Sequence, residues 1–178
     1  MRKLLGSALL LAAVALIPAE SVAQRRAAAS PGPAQRPSFG VELNWSSDVD
    51  FGIGGRGVFP LRSLFPKTPL DGIVSFDYFF PSVPAGTSGH YWEINGNVAY
   101  RFRVPGSSSL RPYAGGGLNI AHASATAGTV STSATKAGLN LLGGTTFKLK
   151  GSHLTPFAEA RGEIGGGKTF ILTGGVRF

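Results

Sequence analysis

The sequence contains no cysteine and few charged side chains, and these two shortages exclude several classes of protein. Without cysteine, the chain has neither a disulfide framework nor a thiolate for catalysis or metal binding. Charged residues make up 15% of the chain, whereas soluble globular domains have roughly 25%. Glycine is abundant, with 26 residues. The composition therefore matches neither a small disulfide-linked secreted domain nor a soluble enzyme with a charged surface.

A long apolar run occurs only at the start of the chain. Arg2 and Lys3 precede an apolar stretch over 4–17, and the small-x-small site Ser21-Val22-Ala23 follows. The stretch is about 14 residues long, which is shorter than the roughly 20 residues of a membrane-spanning helix. This arrangement is typical of a secretory signal peptide, which we expect to cover residues 1–23.

The remaining chain is mildly basic. Beyond residue 23 it has 15 basic and 8 acidic side chains, a net charge of +7, and from Ser38 onward the net charge falls to +4. The basic residues are scattered, which argues against a nucleic-acid partner. Residues 24–37 (QRRAAASPGPAQRP) have no apolar periodicity, so we expect a flexible arm there, before a single domain over 38–178.

From Ser38 to the last residue the apolar residues recur with a period of two. Breaks rich in Gly, Pro, Ser and Asn separate eight such segments, which predicts an all-β protein with about eight antiparallel strands. The predicted strands are 38–45, 50–59, 72–80, 90–102, 110–120, 136–148, 155–164 and 169–178.

The alternation divides each strand into an apolar and a polar face. Phe39, Val41, Leu43 and Trp45 share one face of the first strand, while Glu42 and Asn44 lie on the other. The polar face continues through the later strands as a series of charged and amide side chains. The charged members that we predict to line one interior are Glu42, Arg56, Asp77, Glu93, Arg101, Glu159, Arg161, Glu163 and Arg177.

Alternation alone fits both a soluble barrel of the lipocalin type and a membrane barrel, because the two differ only in which face is wet. The aromatic residues favour the membrane barrel. When the strands are laid antiparallel, two groups of aromatics fall at opposite ends, as interfacial girdles do. One group is Phe39, Phe59, Tyr100, Phe102, Phe147, Phe157 and Phe178, and the other is Trp45, Phe51, Tyr78, Phe80, Trp92 and Phe170.

The last ten residues carry a more specific signal. The run 169–178 (TFILTGGVRF) alternates apolar residues and ends in Phe, and it resembles the closing strand of bacterial outer-membrane proteins. The segments 111–117 (RPYAGGG) and 156–161 (PFAEAR) resemble the small OmpA-like, OmpX-like and opacity-protein-like barrels. The resemblance implies a transmembrane antiparallel up-and-down β-barrel in the bacterial outer membrane. It also implies that the barrel-assembly machinery reads Phe178 as an assembly signal.

This topology predicts which connections face outward. They are 46–49, 81–89, 121–135 and 165–168, of which 121–135 is the longest and has almost only Ala, Ser, Thr and Gly. Such a loop is a candidate for contacting a surface ligand, although a plain solvated connection fits the same composition. The opposite connection over 60–71 is longer than is usual for turns at the periplasmic end.

The interior of an eight-stranded barrel is just wide enough for side chains to fill it. We therefore expect the four lumen glutamates to pair with Arg56, Arg101, Arg161 and Arg177, because an unpaired buried charge is costly. A lumen filled in this way predicts a non-enzymatic barrel that serves envelope integrity or surface interaction, with outer-membrane lipid as its surroundings. A narrow pore is the alternative.

Two patterns of chemical interest are weaker. His122 and Ser124 have the His-x-Ser spacing that resembles outer-membrane lipid A deacylases, but no Asp or Glu lies between Glu93 and Glu159 to complete a triad. Arg161 lies between Glu159 and Glu163, which disfavours a pair of carboxylates in acid and base roles. The sequence thus predicts neither a catalytic residue, nor a cofactor, nor a metal site, and a lipid A-modifying enzyme stays the alternative.

Overall fold

The structure is a computed structural model that describes residues 36–107, 109–165 and 168–178. In these residues the secondary structure consists of eight β-strands and one turn of 3-10 helix at Leu61–Ser63. The strands are β1 (Ser38–Ser46), β2 (Asp50–Pro60), β3 (Leu70–Phe80), β4 (Thr87–Arg101), β5 (Leu110–Ala127), β6 (Val130–Phe147), β7 (Thr155–Ile164) and β8 (Lys168–Arg177).

The strands form a closed up-and-down barrel in which each strand pairs antiparallel with its neighbours in the chain. β1 and β8 close the barrel, with Val41 opposite Val176 and Leu43 opposite Gly174. Two backbone hydrogen bonds between Phe39 and Phe178 extend the closure by one pair. Each described strand has a hydrogen-bonded neighbour on both sides within the barrel wall, which satisfies the backbone groups of the wall internally. This confirms the fold class predicted from the sequence.

We call the end of the barrel that holds Ser38 and Phe178 the terminus end. The opposite end, which holds the connections after β1, β3, β5 and β7, is the hairpin end. At the terminus end the connections are long, spanning 61–69, 102–109 and 148–154. The long connection between β2 and β3 that the sequence predicted is therefore present, and Leu61–Ser63 forms its helical turn.

The barrel has its apolar side chains outside and its charged side chains inside. Leu141 is 73% exposed and Val41 57%, whereas Asp77 and Glu93 have no exposed surface. A soluble barrel would show the opposite distribution, since burying apolar area is what stabilises it in water. The outward band of Leu, Val, Ile and Phe is instead what a lipid-facing barrel surface requires.

Aromatic side chains gather at both ends of this outward band. At the terminus end the ring centroids of Phe39 and Phe59 are 6.1 Å apart and those of Tyr100 and Phe102 are 5.0 Å apart. Near the hairpin end Tyr78 packs on Phe80 at 5.3 Å, and Trp92 packs on Phe76 and His122. Phe157 is an exception to the predicted girdle, because it is buried in the lumen.

Six of the eight predicted strands agree with the structure to within about three residues, a normal error for strand ends. The prediction was wrong for 121–135, which is not a loop. β5 and β6 continue as a regular ladder from the pair Ala121–Lys136 to the pair Ala127–Val130, and only Gly128 and Thr129 form the turn. β4 follows the same ladder up to Thr87. A three-stranded sheet therefore extends past the pairing between β6 and β7, which begins at Leu139 and Ile164.

Within the described residues, no helix is long and apolar enough to cross a membrane.

Candidate functional site

The polar side chains of the lumen form two ion-pair clusters, each centred on one arginine. The Arg56 cluster consists of Arg56, Glu42, Glu159 and Tyr113. The Arg161 cluster consists of Arg161, Asp77, Glu93 and Glu163. Both arise from the period of two, because inward residues of neighbouring strands meet at the same level of the barrel.

In the Arg56 cluster the guanidinium of Arg56 bridges opposite walls of the barrel. Its two terminal nitrogens donate to the two oxygens of Glu159, each at 3.1 Å, while Nε donates to Glu42. The hydroxyl of Tyr113 donates to Oε2 of Glu159 at 2.8 Å. The guanidinium also lies 4.1 Å from the centre of the Phe157 ring. Two-pronged contacts of this kind fix both direction and distance.

In the Arg161 cluster one guanidinium meets three carboxylates. Nε donates to Glu163 at 2.8 Å, and a terminal nitrogen lies 3.2 Å from Asp77 and 3.3 Å from Glu93. Neutral side chains donate further hydrogen bonds to these carboxylates. They are Asn44, Ser75 and Asn95 on Asp77, Tyr91 on Glu93, and Asn119 on Glu163.

Burial of the Arg161 cluster is nearly complete. The side chains of Asp77 and Glu93 are 0% exposed and that of Arg161 is 1% exposed. Two arginines face five carboxylates in the two clusters together, so hydroxyl and amide donors stabilise the excess acids. Such a network strengthens its own hydrogen bonds in a medium of low dielectric constant, and the loss of any one donor is correspondingly costly.

Seven of the nine predicted lumen charges therefore lie in the two clusters. Arg101 does not pair with a glutamate as predicted. Its Nε lies 3.0 Å from Asp71, at the terminus end of β3 and β4. Arg177 was also expected to pair with a glutamate, but among the described residues no carboxylate oxygen lies within 4.0 Å of its nitrogens, and its buried Nε has no hydrogen-bond partner.

The inner face is also less uniformly polar than the alternation predicted. A buried apolar layer adjoins the Arg56 cluster through Tyr113, and it is made of Val58, Ile73, Ala99, Tyr113 and Leu142. Phe79 and Ile171 are fully buried as well. All of these residues have the same parity as the polar lumen residues on their own strands, with Asn119 on β5 and Asn140 on β6. The same parity was the available signal for Phe157 and Tyr91.

The His-x-Ser pair does not form a catalytic arrangement in the structure. His122 lies on β5, where its ring stacks on Trp92 at 5.2 Å and its Nδ1 is hydrogen-bonded to Thr135 Oγ1 at 2.8 Å. Nothing in the described residues bonds His122 to Ser124. Nor do the described His, Asp and Glu side chains gather in a group of three or more that could hold a metal ion.

Comparison with solved structures relates this barrel to known ones. The N-terminal barrel domain of Pseudomonas aeruginosa OprF matches with a TM-score of 0.61 and 18% identity, over 80% of this chain and 97% of that chain. Neisserial surface protein A (NspA) matches at 0.60 and 18% identity, over 79% and 94% of the two chains.

A third match is Ail, the attachment invasion locus protein of Yersinia pestis, at a TM-score of 0.52 and 17% identity, over 80% of this chain and 96% of that one. Ail is also known in complex with the heparin analogue sucrose octasulfate. No family model matches the chain, and no curated protein matches it. At these identities the comparisons show the fold, which is that of small eight-stranded outer-membrane barrels.

Proposed function

We propose that this chain is a non-enzymatic barrel of the bacterial outer membrane with a lumen closed by charge pairs, serving envelope integrity or surface interaction. The signal peptide over 1–23 directs export, and the arm over 24–37 precedes the barrel. Membrane lipid surrounds the outward band, and the barrel-assembly machinery recognises the closing strand through Phe178. The inverted distribution of apolar and charged side chains supports the membrane location.

The observation that carries the closed lumen is the Arg161 cluster. Its four ionic side chains come from β3, β4 and β7, and they are almost completely buried. A water-filled channel would leave such side chains solvated, as in porins, which have about 16 strands. The narrow pore is therefore the less favoured reading.

Conductance measurements test this reading directly. We expect wild-type barrels in planar bilayers to show little or no steady current. The variant Arg161→Ala should show occasional openings, because Glu93 and Glu163 lose their shared partner. The surface variant Arg103→Ala, in a terminus-end connection, serves as the control and should stay silent. Large and stable single-channel currents from the wild type would show that the lumen charges line a pore instead.

Two simple observations test the location and the leader. Membrane-extracted protein should migrate faster in detergent gels before heating than after it, as folded barrels do. The mature protein should begin at Gln24. Recovery of the protein in the soluble periplasmic fraction would contradict the membrane location, and a retained N-terminus would contradict the leader alone.

The extended sheet of β4, β5 and β6 supports the surface-interaction branch of the proposal. From Ser131 to Ala137 every residue of β6 is exposed, and the strands carry mainly Ala, Ser and Thr there. The complex of Ail with a heparin analogue makes a sulfated glycan a reasonable first probe. Heparin binding to whole cells should be lost when residues 124–127 and 130–133 are removed together, a deletion that keeps the turn at Gly128 and Thr129. Equal binding by both strains would place the role elsewhere.

The enzymatic alternative is disfavoured by the contacts of His122. His122 stacks on Trp92 and bonds to Thr135, and in the described part of the chain it has neither an acid partner nor a serine to activate. An unchanged lipid A acylation pattern in cells that overproduce the protein would agree with a non-enzymatic barrel.

A further inference from the structure

A cavity of about 410 Å³ opens at the terminus end of the lumen, where Arg56 and Tyr113 of the Arg56 cluster form part of its lining. Its floor is the apolar layer around Val58 and Ile73, and its wall is basic. The basic lining residues are Arg36, Arg56, Arg101, Arg111, Lys148 and Arg177, whereas Asp71 is the acidic lining residue. Six positive charges thus face one negative charge within the lining.

Of the basic residues that line this cavity, Arg56 and Arg101 are held in ion pairs within the described part of the chain, and the others are not. In the described residues, Asp71 lies beside Arg101, while Arg111, Lys148 and Arg177 have no carboxylate within ion-pair distance. The Nε of Arg177 is a buried donor without an acceptor. Buried N–H groups in proteins normally have a hydrogen-bond acceptor. The cavity therefore has both the charge and an open donor for an anion.

Apart from Asp71, no acidic side chain of the described residues lines the cavity. The arm over 24–37 contains three arginines and no acidic residue, so its side chains supply no carboxylate. The C-terminal carboxylate of Phe178 makes no ion pair with a described side chain, although the backbone of Phe178 pairs with Phe39 nearby.

A second cavity adjoins the first and extends its basic wall. It has a volume of about 440 Å³ and shares Arg101, Arg111 and Lys148 with the first cavity. Arg62 and Arg103 add two further positive charges, and Phe102 and Leu110 add apolar surface. The wall between the cavities thus presents two guanidiniums and an ammonium from adjacent segments. Arginine pairs with the oxygens of a phosphate in a two-pronged manner, and a phosphate monoester carries nearly two negative charges.

We propose that the terminus-end mouth of the barrel is a binding site for a phosphate group, held by Arg101, Arg111, Lys148 and Arg177. Two sources share this chemistry. A soluble phosphate compound would occupy the lumen cavity alone, whereas a phospholipid would place its phosphate on the shared wall and its acyl chains along Phe102 and Leu110.

Calorimetric titration of the full mature chain in a neutral detergent tests the site, with pyrophosphate as the soluble probe and short-chain phosphatidic acid as the lipid probe. We expect Arg111→Gln combined with Lys148→Gln to weaken binding of the favoured probe at least about tenfold, the effect of losing one charge-assisted hydrogen bond. Lys67→Gln combined with Lys150→Gln removes the same charge at the same end, from two side chains that line neither cavity, and should leave binding unchanged.

The two probes distinguish the sources. Tighter binding of pyrophosphate assigns a soluble ligand, and tighter binding of phosphatidic acid assigns a lipid headgroup. The proposal is overturned if neither probe binds the wild type at millimolar concentration, or if both double variants bind equally well. Heat-dependent migration of each variant shows that the barrel has folded. A failed titration with folded protein therefore leaves the proposed outer-membrane function untouched.

Discussion

Arg161 is the side chain whose removal we expect to be most costly. It shares one guanidinium among Asp77, Glu93 and Glu163, whose side chains are almost completely buried. Arg161→Ala would leave these carboxylates without their cation, and breaking a buried ion pair in this way costs roughly 3–5 kcal/mol. Urea unfolding of the barrel in detergent measures the loss in the free energy of unfolding.

The control for Arg161 is Arg103→Ala, in an exposed connection, which should change the free energy of unfolding by less than about 0.5 kcal/mol. If both variants unfold at the same urea concentration, the lumen contains enough water to solvate the carboxylates, and the closed-lumen proposal is wrong.

Alanine substitutions at Gly117 and Gly96 test how tightly the lumen is packed. A methyl group on Gly117 would collide with the carbonyl oxygen of Gly96 and with Asn97, whereas one on Gly96 would meet nothing within 4 Å. Gly117→Ala should therefore lower the free energy of unfolding by about 1–3 kcal/mol, as overpacking does, and Gly96→Ala should not. Unfolding of the two variants side by side checks this, and equal stability would contradict the inward direction of Gly117.

Residue parity predicted the direction of most side chains but not their partners. The alternation along β7 placed Glu159, Arg161 and Glu163 inside, and the structure brings all three into the clusters. The same parity places Phe157 inside, yet its aromatic character suggested the girdle. The pairing of Arg101 with Asp71 depends on the register of β3 and β4, with Leu70 opposite Tyr100. Local sequence patterns do not contain that register.

At the scale of strands, the segment 121–135 shows where sequence patterns stop being informative. Alternation of apolar and polar residues arises when one face of a strand meets lipid and the other the lumen. The extension of β5 and β6 has neither environment, because most of its residues are exposed. Its Ala, Ser and Thr residues therefore look like a loop in the sequence, although the ladder with β4 and the turn at Gly128 make it a hairpin.

The extended hairpin should be removable without loss of the barrel. Deleting 124–127 together with 130–133 removes four complete pairs and keeps the turn at Gly128 and Thr129. We expect the shortened protein to stay within about 1 kcal/mol of the wild type, because these strands bury little surface. Heat-dependent migration and urea unfolding measure this.

The matched control removes four pairs lower in the same hairpin. Deletion of 116–119 together with 138–141 takes out the same number of residues and removes Asn119 and Asn140, which complete lumen hydrogen bonds. That variant should fail to form the barrel. If the upper deletion fails in the same way, the extension is part of the folding unit.

The closing strand β8 is the second element with a testable role. Phe178→Ala should reduce the amount of assembled barrel in cells more than it reduces the free energy of unfolding in detergent. The reason is that the Phe178 side chain is 64% exposed and adds little packing, whereas its proposed role is recognition during assembly. Phe170→Ala, on the same face of β8, is the control. A normal cellular yield of Phe178→Ala would contradict the proposed recognition of Phe178 by the assembly machinery.

At the scale of the whole molecule, the surrounding medium decides whether an exposed apolar residue raises or lowers the free energy of the folded barrel. Twenty-nine large apolar side chains are exposed among the described residues, and most of them lie on the outward faces of the strands. A soluble protein does not present a continuous apolar band of this size. In lipid the same band lowers the free energy of the barrel. A lipid bilayer therefore requires both features, the outward apolar band and the closed ladder of backbone hydrogen bonds.

Leu141 and Val130 test that environment, because the two side chains are nearly equally exposed, at 73% and 71%. Leu141 lies on β6 about halfway between Thr135, in the ladder row of Trp92, and Phe147, whereas Val130 lies at the tip of the extended hairpin. In water, arginine at either position would have little effect. In a bilayer, Leu141→Arg should cost about 2–4 kcal/mol near the midplane, while Val130→Arg should cost less than about 1 kcal/mol beyond the interface. Reversible unfolding in lipid vesicles measures both values.

If the two variants are equally stable there, the outward band does not contact lipid and a soluble barrel is the better description. If both are strongly destabilised, the extended hairpin lies within the membrane and the proposed surface role of that hairpin fails with it.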